Sequence, residues 1–79
     1  MEQRIGTITI LVSDRNRSVE VNSILSQFSD IILCRQGLPF HDRPVAVISL
    51  IIEAPTDRIN ALTGQLGRLS GITAKAVFT

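Results

Sequence analysis

Leu25-Ser26-Gln27-Phe28-Ser29-Asp30-Ile31 and, forty-one positions later, Leu66-Gly67-Arg68-Leu69-Ser70-Gly71-Ile72 repeat one pattern. Leu25, Phe28, Ser29 and Ile31 recur in register as Leu66, Leu69, Ser70 and Ile72. The first two residues of each copy are three apart, the spacing of one helix face. The serine and isoleucine that follow mark where helix gives way to strand. The chain is therefore built twice, and each half reads strand, helix, strand.

Outward from the first copy, Val21, Ile24, Leu25 and Phe28 fall at i, i+3, i+4 and i+7, one apolar stripe. This predicts a helix from the cap residues Ser13 and Asp14 to about Ser29, since their oxygens can accept first-turn N–H groups. Before it, Ile8, Ile10 and Val12 alternate with Thr7, Thr9 and Leu11, which predicts a strand over Ile5 to Val12. After it, Ile31 to Leu38 reads as a second strand, ending near Gly37 and Pro39. The two prolines of Pro39-Phe40-His41-Asp42-Arg43-Pro44 hold a turn. Around the second copy, Val45 to Glu53 is the most apolar strand. Pro55-Thr56-Asp57 opens a helix with Thr56 as its expected cap, and Ile59, Leu62, Leu66 and Leu69 form its stripe. Gly71 is placed to stop that helix, because glycine adopts left-handed geometry cheaply. Ile72 to Phe78 is the last strand.

The sum is a βαββαβ sandwich of the α+β class, ferredoxin-like. It has a four-stranded antiparallel sheet with two helices on one face, and residues 1–79 form one domain. Both faces of the third strand are apolar. Ala46, Ile48, Leu50 and Ile52 can face the helices. Val45, Val47 and Ile51, interrupted by Ser49, then point away, with Leu11 and Leu33 nearby. Two helices cover only one face, and large exposed apolar patches mark interfaces. Leu33, Val45, Val47, Ser49 and Ile51 are therefore the expected contacts of a homo-oligomer, a dimer or a tetramer.

The bulk numbers agree with assembly. A 79-residue domain buries only roughly 60% of the surface of its unfolded chain. One cysteine provides no disulfide, and with no Trp or Tyr and three Phe the core must be aliphatic. A lone cysteine suits a reducing compartment. With no basic-plus-apolar signal segment and no run of about 18 apolar residues, the reading is a soluble cytoplasmic protein without a membrane partner. The net charge of +1 and its mixed distribution lack the basic footprint of direct nucleic-acid binding.

No Gly-x-Ser-x-Gly elbow, phosphate-binding loop or His-Glu-x-x-His pair occurs. The carboxylates stand apart at caps and turns. The expectation is a non-enzyme without a cofactor. Cys34 and His41 are one soft ligand of each kind, too few for a four-ligand site in one chain. They could share an intersubunit site as part of a metal-responsive sensor. The other reading is a small buried cysteine on a strand and a solvated histidine in a turn. Asn60, Gly64, Gly67 and Gly71 line a stripe of the second helix, away from its core stripe. Each interior glycine costs about 1 kcal/mol relative to alanine. Either the helix tolerates them, or a ligand or partner approaches closely there.

Arg35-Gln36-Gly37-Leu38-Pro39, the apolar third strand and the Leu62-x-Gly64-x-Leu66-Gly67-x-Leu69-x-Gly71 pattern resemble the iron-only hydrogenase system regulator family. The resemblance covers nearly the whole chain. It implies an ACT-like domain, similar to the C-terminal domain of the nickel-responsive repressor NikR. The family name also implies a regulatory association with iron-only hydrogenase genes. With the apolar second sheet face, the expectation is a regulatory module that assembles through its sheet and senses a small-molecule effector. Two features depart from those relatives. The loop Ser13-Asp14-Arg15-Asn16-Arg17 lacks the glycine of amino-acid-binding ACT domains, and the chain has one histidine where nickel sites need several.

Overall fold

Alternating burial defines each strand. In the computed structural model, which describes residues 2–79, Arg4–Val12 forms β1. Ile8 and Ile10 are fully buried and Val12 nearly so, while the residues between them face outward. Ser18–Gln27 forms α1 and Ile32–Pro39 forms β2. Ala46–Ala54 forms β3, Thr56–Gly67 forms α2 and Ile72–Phe78 forms β4. The order across the sheet is β2-β3-β1-β4, and every neighbouring pair is antiparallel. This is the ferredoxin-like α+β arrangement expected from the doubled pattern.

Both helices lie on one face and the core sits beneath them. Val21, Leu25 and Phe28 of the first half meet Ile59, Leu62 and Leu66 of the second over Ile8, Ile10, Ile48, Leu50 and Ile52. Ile24 and Leu69 are half-buried at its margin. The last residues of the two repeat copies, Ile31 and Ile72, are both buried where the chain re-enters the sheet.

Several boundaries differ from the sequence expectation, each for a local reason. Asp14 does cap, its Oδ1 accepting from the Asn16 N–H at 3.0 Å, but what it caps is a short 3-10 turn over Arg15–Arg17. The α-helix begins only at Ser18. Thr56 is not the cap of α2. Pro55 holds that position without a side-chain bond, because its fixed φ of −61° already suits a helix entry. The helix ends at Gly67, one turn before Gly71.

Gly71 has a φ of +77°, and a Cβ there would stand 2.7 Å from the Asp14 Cβ. Its carbonyl accepts the Ser13 N–H at 2.8 Å, which ties the α2–β4 turn to the end of β1. Gly6 escaped sequence reading. A Cβ there would run into the Val77 carbonyl and the Phe78 backbone, so β1 and β4 pack too closely for any side chain.

Candidate functional site

With both helices on one side, the opposite face of the sheet is bare. Register divides it into three rows running across all four strands. Cys34, Ile51, Thr7 and Val77 form the first, and Gln36, Ser49, Thr9 and Lys75 the second. Leu38, Val47, Leu11 and Thr73 form the third. Two largely apolar rows thus flank a polar one. Leu38 is 58% exposed, Val77 73%, Ile51 43% and Leu11 41%, and Ile5 lies beyond the first row at 54%. At the third row a groove of about 560 Å³ opens between Gln36, Gly37, Leu38, Phe40, Val47 and Ser49.

The loop bearing Phe40 is held from across the sheet end. Arg15 Nη2 donates to the Phe40 carbonyl, to that of Arg43 at 3.2 Å and to that of Val45 at 3.4 Å. Phe40 N–H closes the same loop onto Val45 O at 3.1 Å. Neither tie was legible in the sequence, because a loop arginine carries no sign of which carbonyls it will reach.

The expected interface residues do not all lie on this face. Val47, Ser49 and Ile51 lie on the bare face as expected. Val45 is half-buried and just precedes β3, with its carbonyl engaged by the loop. Leu33 departs from expectation. The register steps from Ile32 opposite Ile52 to Cys34 opposite Ile51, so Leu33 is the extra residue of a β-bulge. It is 62% exposed but outside the ladder. The bulge reverses the alternation of β2, which corrects a second expectation. Cys34 is exposed on the bare face, not a buried strand cysteine.

His41 lies exposed in the β2–β3 loop. Among the described residues, no three His, Cys, Asp or Glu side chains group closely enough to hold a metal ion.

Asn60, Gly64 and Gly67 are exposed on α2, and a Cβ at either glycine would meet nothing within 4 Å. Gly71 lies past the helix end, and its positive φ supplies its own reason for glycine. The stripe therefore reduces to Asn60, Gly64 and Gly67 on the helix proper.

An ion pair joins the two halves. Arg58 of α2 donates to both oxygens of Asp30, the second bond being 3.2 Å, and its guanidinium stands 5.4 Å from the Phe28 ring centroid. The hydrogen bond from Arg58 lowers the Asp30 pKa, and Arg58 is raised by the same bond. A carboxylate whose folded pKa is depressed contributes stability above its unfolded value, ~3.9, and loses it as pH falls through the lower folded value. Asp30→Asn should therefore flatten the acid limb of stability below about pH 4. Urea unfolding of both proteins from pH 7 to pH 2 checks this, and parallel curves would contradict it.

The fold and the site define a small ferredoxin-like module whose sheet presents one bare, largely apolar face. The chain belongs to the TM1266-like family, described as "Iron-only hydrogenase system regulator, putative", whose model matches residues 4–76. It is also similar to the solved structure of protein TM1266 from Thermotoga maritima, with 40% identity over 98% of each chain and a TM-score of 0.92. Among curated proteins, none matches the chain. No helix of the described residues is long and apolar enough to cross a membrane.

Proposed function

We propose that this protein is a non-enzymatic, cytoplasmic regulatory module of an iron-only hydrogenase system. It assembles through the bare face of its sheet and responds to a small-molecule effector. The observation that carries the reading is that face, where Leu38, Val47 and Leu11 stand side by side in one row and Ile51 and Val77 lie in another. Monomers rarely expose contiguous apolar patches of this kind. Family membership over residues 4–76 supplies the link to the hydrogenase system. An intersubunit metal site at Cys34 and His41 has no comparable support.

In the native host, deletion of the gene should change the level of iron-only hydrogenase transcripts or activity. The wild-type gene should restore it and the Val47→Lys allele should not. Unchanged hydrogenase output in the deletion strain would overturn the regulatory reading.

The effector contact is proposed at the exposed Asn60, Gly64 and Gly67 stripe, with Gly71 at its end. Nothing in the chain opposes methyl groups at Gly64 or Gly67. The double change Gly64→Ala with Gly67→Ala should therefore stabilise α2 by up to about 1 kcal/mol per site. It should also impair rescue of the deletion strain. A more stable variant with unchanged oligomeric state and full rescue would sink the contact.

A further inference from the structure

We infer that the bare sheet face is covered by a second copy of this chain, related by a two-fold axis that runs along the row Gln36, Ser49, Thr9 and Lys75. The inference rests on the assembly reading above and fixes its geometry. An isologous interface must be self-complementary, so its chemistry has to repeat on either side of the axis. The three rows have that symmetry: largely apolar, polar, largely apolar.

Turning one copy about the middle row lays the first row of each on the third row of the other. Ile51 of the second copy then stands over Val47, and its Cys34 over Leu38. Val47 and Leu38 line the groove of about 560 Å³, so the second copy's Ile51 enters it as an apolar knob. Ser49 and Thr9 meet their own counterparts on the axis, where hydroxyls can both donate and accept. Gln36 and Lys75 lie on the same axis and meet their own counterparts too; Lys75 stands on the edge strand β4, at the rim, where the two ammonium groups can turn apart into water.

Strands crossing in this way give an aligned sheet-on-sheet packing, with faces about 10 Å apart. The area is adequate. Four strands about 4.8 Å apart and up to about 30 Å long span roughly 550 Å² in projection. Two such faces together bury roughly 1,100 Å², above the ~1,000 Å² that a specific interface should clear. The β2 edge is a poorer docking site, blunted by the bulge at Leu33 and by Pro39, which has no N–H to offer.

A residue on a two-fold axis faces itself, and that gives the test. Ser49→Asp and Ser49→Lys each place like charges directly opposite one another. Each variant alone should associate at least about 100-fold more weakly than wild type. Mixed one to one, the two should recover a dimer, because each charge then faces its opposite. Sedimentation velocity reads both results, and circular dichroism verifies that each variant is folded. The Thr9→Asp and Thr9→Lys pair on the same row repeats the experiment if a Ser49 variant fails to fold.

Either Ser49 variant alone associating as tightly as wild type would overturn the axis. So would a mixture that stays monomeric while each variant dissociates. In both cases a Val47→Lys protein that still dissociates leaves the face itself as the interface. A Val47→Lys protein that remains fully associated, or a monomeric wild type, overturns the assembly reading together with the axis.

Discussion

Replacing Leu66 with alanine is expected to remove about 3 kcal/mol of folding stability. Leu66, on α2, is fully buried in the core. Truncating its side chain to a methyl loses the transfer energy of the isopropyl group and leaves a cavity that fixed strands cannot close. A 79-residue protein has a total stability on the order of 4–12 kcal/mol, so the change removes a large share of it. Urea unfolding at constant protein concentration measures the effect, since assembly adds concentration-dependent stability. A loss below about 1 kcal/mol would mean that the repeat does not place its leucines at the heart of the core.

The second large effect concerns association. Val47→Lys is expected to weaken self-association by at least about 100-fold, because it would bury an ammonium without a partner. Val47 sits mid-strand on β3, between Leu38 of β2 and Leu11 of β1, with the groove beside it. The folded monomer should tolerate the change, since Val47 lies on the face away from the helices and its lysine can reach water there. Sedimentation velocity should show a folded, monomeric variant. Unchanged association would remove Val47 from the interface.

The fold was legible because the repeat carries it twice. Leu25 and Leu66, then Ile31 and Ile72, are buried at matching points of the two halves. Two independent periodicities that agree leave little room for another architecture. The bare face was legible for a similar reason, since β3 is apolar on both sides and only one side can meet helices.

Backbone detail was harder to read. The bulge at Leu33 inserts one residue into β2 and so reverses which residues face outward. A stretch as uniformly mixed as Leu33-Cys34-Arg35-Gln36 offers no pattern from which to read that slip. The 3-10 turn at Arg15–Arg17 escaped because Asp14 caps it just as it would cap an α-helix. Gly6 is required by a neighbouring strand some seventy residues away, which local propensity cannot report. The reach of Arg15 to three loop carbonyls is set by the sheet end that brings the loops together.

The central claim is that the bare sheet face is an interface, and the mass of the wild-type protein in solution tests it most directly. Sedimentation equilibrium at micromolar concentration should give a species of at least twice the 8.6 kDa chain mass. A folded species of 8.6 kDa throughout that range would contradict it.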